Sequence, residues 1–153
     1  MVLGRSKGKY QKWKFKVLID GIPAAESDFQ KAGPLEGEVA VVEYNPGGAM
    51  VPEKQPGRAS FPPVTLEKGV SDSDALYEWF KEIVNAAANE GGVDDSFKRM
   101  VTIQQLKRNN EVVKTWRLHD AWPSKFVGGD WDGSADEFTM ESVELQYQYP
   151  ELV

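Results

Sequence analysis

The chain has 153 residues, ordinary apolar content, no cysteine and a formal net charge of −6. That size fits a single domain, 1–153, with a real core, and the missing cysteines exclude disulfide staples, thiolate metal sites and cysteine nucleophiles. The acidic total argues against a protein that is primarily a nucleic-acid binder, and no apolar run is long enough to cross a bilayer as a helix.

Met1 to Lys9 shows no periodicity and reads as an N-terminal arm. Arg5, Lys7 and Lys9 make it basic, and no apolar stretch follows them, so it does not read as a secretory signal. From Trp13 the pattern is strict alternation. Trp13, Phe15, Val17 and Ile19 form one apolar face, and Lys12, Lys14, Lys16 and Leu18 form a mostly basic one. That is a strand closed by the turn signal Asp20-Gly21. Ile22 to Pro34 is expected to be irregular, with Phe29 plugging one end of the core.

Glu36 to Tyr44 is the next predicted strand. Val39 to Val42 run without alternation, which implies cover on both faces, one of them from another subunit. Asn45 to Pro63 then holds five of the nine prolines, with Gly47, Gly48 and Gly57. Proline has no N–H to give a ladder, so this stretch is expected to be an irregular loop. Its apolar residues Met50, Val51 and Phe61 predict that it docks on a neighbouring molecule. Val64 to Lys68 is a short strand ending at Gly69.

One helix is predicted, over about 74–90. Ser73 or Asp74 caps it, Leu76, Trp79, Phe80, Ile83, Val84 and Ala87 make its apolar stripe, and Gly91-Gly92 ends it. Phe97 to Leu106 and Glu111 to Leu118 form a hairpin turning at Asn109-Asn110. Ala121-Trp122-Pro123 is expected to stop the second strand. Gly128 to Asp136 is a loop rich in glycine and aspartate. In the last strand Phe138 and Met140 have the opposite parity to Val143, Leu145, Tyr147 and Tyr149, which predicts a β-bulge near Glu141-Ser142. The charge is polarised: residues 1–20 hold six bases and one acid, and residues 130–153 hold seven acids and no base. Such ends can attract each other within one molecule or between copies.

The residues for catalysis are thin. His119 is the only histidine and has no serine in a nucleophile-elbow pattern to serve. Asp130, Asp132, Ser134, Asp136 and Glu141 fit five positions of a calcium-loop template, but Ala135 stands where its turn needs glycine. No cofactor, metal or catalytic residue is therefore assigned. Trp131, in a polar loop, is an interface candidate.

Taken in order, the motifs resemble the tail tube proteins of contractile phage tails and related particles, including R-type pyocins and extracellular contractile injection systems. They are Phe15-Lys16-Val17 with Asp20-Gly21, Glu38 to Tyr44 with Gly47-Gly48, Pro56-Gly57 and Val64 to Val70. Trp79, Ala121-Trp122-Pro123 and Glu141 to Leu145 complete the set. The resemblance implies a mainly β fold of two packed antiparallel sheets, a small barrel-like sandwich with one flanking helix, shared with the type VI secretion inner-tube protein. It implies hexameric rings stacked into a hollow tube, and no enzymatic role. The implied partners are the chain itself, a contractile sheath, baseplate and tail-cap proteins, and cargo or a tape-measure protein in the lumen. Assembly in the bacterial cytoplasm into a phage tail or tail-like particle follows from the same resemblance. Tubes that pass DNA favour an acidic or neutral lumen; if the face of Lys12, Lys14 and Lys16 lines the channel, a protein cargo is favoured.

Subunit contacts are expected at Arg5, Lys7 and Lys9 of the arm, at Tyr44, Met50, Val51, Pro56, Gly57, Arg58 and Phe61 around the long loop, and at Trp131 and Tyr149. Two other readings stand beside this one: a baseplate-proximal tube initiator, and a carbohydrate-binding or hydrolytic β-sandwich using Trp131, Asp130 and Asp132.

Overall fold

The computed structural model describes residue 10 and residues 14–22, 29–88 and 95–153. Among them are nine strands and one α-helix: β1 Phe15–Ile19, β2 Lys31–Gly33, β3 Glu38–Tyr44, β4 Glu53–Ser60, β5 Val64–Gly69, α1 Ala75–Ala88, β6 Arg99–Leu106, β7 Val112–Val127, β8 Met140–Gln146 and β9 Tyr149–Leu152. The expected arm Met1 to Lys9, Trp13 and the helix stop Gly91-Gly92 lie outside the described residues.

Seven strands make one antiparallel ribbon in the order β1-β6-β7-β8-β5-β2, with β9 beside β7. The ribbon becomes two layers because β7 belongs to both. Its first part pairs with β6 and β9, and Trp122 to Val127 pairs with β8. The expected stop at Ala121-Trp122-Pro123 is instead a change of sheet. Asp120 adopts a left-handed φ of 53°, and the register slips between Pro123 and Lys125. A left-handed residue followed by a bulge bends a strand without ending it.

Alternation then fills the space between the layers. Val17, Ile19, Val101 and Leu118 face inward from one layer, Val64, Leu66, Val143 and Leu145 from the other, and all are sealed from solvent. Each contributes roughly 1.5–3 kcal/mol of burial before entropy is counted. Phe29 joins this core, as expected, whereas the short β2 beside it, on β5, was not expected. The sandwich is not a closed barrel: β1 and β2 stand at the two ends of the ribbon. A cleft of about 580 Å³ opens there, lined by Phe15, Ile103 and the run Ala32-Gly33-Pro34.

The helix starts as predicted. Asp74 O accepts from Glu78 N at 2.9 Å, and Ser73 Oγ accepts from Ala75 N at 3.3 Å. Leu76 and Trp79 are buried, and the Trp79 Nε1–H donates to Phe97 O at 2.6 Å. The stripe fades toward the C-terminus, where Val84 is half exposed. Phe97 itself lies in a 3-10 turn, Asp95–Phe97, so the hairpin begins at Arg99. Its turn is as predicted, with Asn110 at a φ of 66°.

The last strand carries no bulge at Glu141-Ser142. Its register with β5 is unbroken from Val64↔Leu145 to Gly69↔Met140. Phe138 precedes the strand, almost fully exposed, and the inward position that an apolar residue would take is held by Glu141. Its carboxylate meets Lys68 Nζ at 3.1 Å, both side chains being at least nine-tenths buried. The parity break was a buried ion pair, not an extra residue.

The largest correction concerns Asn45 to Pro63. It is not irregular: Glu53 to Ser60 is β4, which pairs with β3 as a separate two-stranded sheet. Pro56 is tolerated because, among the described residues, β4 is an edge strand paired only with β3, the place where a missing N–H costs least. The register also shifts between Val39 and Val41, and a side chain at Gly57 would lie 3.1 Å from Ala40 O. Gly57 and Arg58 thus stand opposite the single residue Ala40 in a bulge, where a side chain at position 57 would crowd it.

Candidate assembly interfaces

Among the described residues, nothing covers the β3–β4 arm. Both strands are exposed along their length, so the expected two-sided burial of Val39 to Val42 is absent in a single chain. Val41 is 64% exposed, and Met50 at the tip is fully exposed. Tyr44, Val51 and Arg58 also face solvent. The tip is a tight turn, with Ala49 N donating to Pro46 O at 3.0 Å and Gly48 at a φ of 83°. Phe61 sits at the root, partly buried against the Tyr147 ring at 6.3 Å. The Tyr147 hydroxyl donates to Pro62 O at 3.0 Å, which clamps the root to the end of β8. Burial, and then the nearby charge of Glu36, hold that phenol above its ordinary pKa.

A second exposed apolar surface lies at the other end of β8, in residues 128–139. Gly129, at a φ of 128°, brings the two limbs of this loop together; a Cβ there would sit 2.6 Å from Thr139 Cγ2. Trp131 is 81% and Phe138 93% exposed, beside a shallow cleft of about 540 Å³ that also includes Val70 and Gln30. Phe138, expected in the last strand, instead lies in the loop before β8, after the acids Asp136 and Glu137. Asp132 accepts from Ser134 N at 3.0 Å and Ser134 Oγ at 2.8 Å. Those bonds to its charged form lower its pKa. A general acid of a glycosidase needs the opposite shift, so Asp132 is not set up for that role. Glu141, the last position of the calcium template, is turned inward onto Lys68.

The C-terminal strand offers the third surface. β9 forms an edge beside β7, with Tyr149 half exposed and stacked on His119 at 4.4 Å. His119 Nε2 also meets Glu151 Oε2 at 2.5 Å, so the histidine pins β9 to β7. The structure brings together Tyr44, Met50, Val51, Pro56, Gly57 and Arg58 in one arm. It leaves Trp131 and Tyr149 on separate surfaces, and Arg5, Lys7 and Lys9 lie outside the described residues.

Three comparisons bear on what such surfaces are for. The model of the T4-like virus tail tube protein gp19 family matches residues 11–151. A tail tube protein of Serratia phage KSP90 is 29% identical over 105 residues, covering 66% of this chain; the chain spans 59% of that relative's length. In fold, the chain is similar to a protein in the sheath–tube complex of the PVC extracellular contractile injection system, with a TM-score of 0.78 at 20% identity over 97% and 93% of the two chains. Hcp1 from Flavobacterium johnsoniae follows, with a TM-score of 0.52 at 13% identity over 91% and 94%.

Proposed function

Because the chain belongs to the T4-like virus tail tube protein family, we propose that it is a structural subunit whose copies stack as hexameric rings into the rigid inner tube of a contractile tail or injection particle. The observation that carries this reading is the β3–β4 arm, which exposes valines on a two-stranded sheet that no other described residue of the chain covers. Apolar surface of that kind is stabilised by burial against another molecule. A head-to-tail contact repeated by identical copies closes a ring or builds a helix, and the edges of β1, β2 and β9, unpaired among the described residues, supply further backbone donors and acceptors for it.

A contractile sheath is the outer partner, baseplate and cap proteins are the end partners, and a cargo or tape-measure protein occupies the lumen. Assembly takes place in the bacterial cytoplasm, and the subunit performs no chemistry. Lys16 on β1 is exposed; a lumen lined by that face suits a protein cargo over DNA.

The test is Val41→Asp with Val42→Asp. The monomer should keep its circular dichroism and its unfolding midpoint, because surface changes cost within about 0.5 kcal/mol. Tubes seen by electron microscopy for the parent chain should disappear. Tubes in the variant, or a parent chain that stays monomeric even with baseplate proteins present, would overturn the reading.

A further inference from the structure

The β3–β4 arm joins the body through two limbs, and one aromatic pair touches both. On the limb leading into β3, Leu35 packs against the core and Gly37 runs along the Phe61 ring, where a Cβ would lie 3.4 Å from Phe61 Cε1. The ladder begins at the next residue, with Glu38 opposite Ser60. On the limb leaving β4, Phe61 leans on the Tyr147 ring at 6.3 Å, and Pro62 O accepts the Tyr147 hydroxyl at 3.0 Å. Tyr147 is itself a fixed point. It is 9% exposed and follows Gln146, which pairs with Trp122 of β7. It precedes Gln148, whose N–H donates to His119 O of the same strand at 2.8 Å. Pro34, Pro62 and Pro63 fix φ along the two limbs. Phe61 and Pro62, each followed by a proline, are held extended.

We propose that Phe61 and Tyr147 form a rigid joint that aims the β3–β4 arm in the free subunit, and that this aim lowers the concentration at which subunits assemble. The proposal rests on the stacking reading above. Both strands of the arm are exposed along their length, so its direction is set at the root. A lone hairpin is marginal in water; tying both limbs to one buried tyrosine closes the end at which it would fray. The geometry makes the root sensitive. A seven-residue strand such as β3 reaches about 23 Å, so a swing of about 10° at the root carries the tip about 4 Å. A shift of that size is a whole side-chain contact distance, enough to take Met50 and Val51 off a surface shaped for them. An arm free to swing loses orientational entropy whenever it docks, and an arm already aimed loses little. Phe61 and Tyr147 are therefore positioning residues for assembly, acting through the exposed residues further along the arm.

The absence of native cysteine opens the aim to direct measurement. Spin labels on Gly47→Cys, where nothing lies within 4 Å, and on Arg117→Cys, exposed on β7, report the distance from arm tip to body by pulsed electron double resonance. The labelled monomer should give one narrow distribution. Adding Phe61→Ala with Tyr147→Phe should about double its width. In the unlabelled chain the same two substitutions should raise the lowest concentration that yields tubes by about tenfold, with tubes of unchanged appearance. Val41→Asp should do the opposite, keeping the distribution narrow while tubes disappear, because it removes contact and not aim. A purely structural role would lower the unfolding midpoint and leave the width as it was. Tyr147→Phe alone, which keeps the ring, should give an intermediate width and stands in if the double variant does not fold. A broad distribution in the parent, or a variant with an unchanged width or an unchanged assembly concentration, would overturn the proposal. A parent chain that forms no tubes removes the stacking reading, while the comparison of widths still judges the joint.

Discussion

β5 and β3 both carry branched apolar residues, yet Val64 and Leu66 are fully sealed while Val41 and Val42 are more than half exposed. The difference lies in what the neighbouring chain does. β5 alternates apolar and polar residues and has β2 and β8 on its two sides, so one face meets the buried core between the layers. Among the described residues β3 has a single partner, a strand bulged at Gly57 and Arg58, and the pair forms its own small sheet. An isolated two-stranded hairpin is marginal in water. The body carries the stability of the monomer, and the arm depends on what it meets.

Substitutions should separate the two regions. Trp79→Ala removes the largest fully buried side chain and leaves Phe97 O without its donor; a loss of about 3–5 kcal/mol in urea unfolding is expected. Lys68→Met strands the Glu141 carboxylate in the core, at a cost of about 3–5 kcal/mol. Adding Glu141→Leu should recover most of that loss, and a double variant as unstable as the single one would show that the pair does more than neutralise itself. At the joint between body and arm, Tyr147→Phe removes one hydrogen bond to Pro62 O and should cost about 1 kcal/mol. A change inside the arm, such as Val41→Asp, should leave the monomer midpoint in place.

The smallest effect is electrostatic. The Asp132 pKa is depressed in the folded chain, so its contribution to stability is present above the ordinary carboxylate range and is lost as pH falls through the depressed value. Ser134→Ala should move that titration upward toward the ordinary value, read by NMR of the side-chain carboxyl. An unmoved titration would show that the Ser134 hydroxyl adds nothing to what its backbone amide, which Ser134→Ala retains, already does for the charge.

The body was legible because its strands obey a period of two and its helix carries a cap and a stripe. Val17, Val64, Trp79, Leu118 and Leu145 all stand where that pattern puts them. Three features were hidden by chemistry that imitates something else. Pro56 hid β4, because a proline on an outer strand cannot be told from a loop proline without knowing which side is free. Pro123 hid the second half of β7, since the bend at Asp120 depends on backbone angles rather than residue type. Glu141 hid the continuity of β8, because an inward acid reads as a shift of register until its lysine is seen. Among the interface candidates, Met50, Val51 and Trp131 were readable as apolar residues in polar surroundings. Phe138 was not, because its apolar neighbours two and more residues on drew it into the strand.

β7 has one more consequence. The same sixteen-residue strand serves both layers, so no line of weak bonds separates the loop at one end from the turn at the other. A thrust applied along it is borne by covalent backbone, and the layers cannot slide apart without breaking ladders on both sides of the bend at once. In a column built from such units, the hard part is the subunit and the compliant part is the joint between subunits.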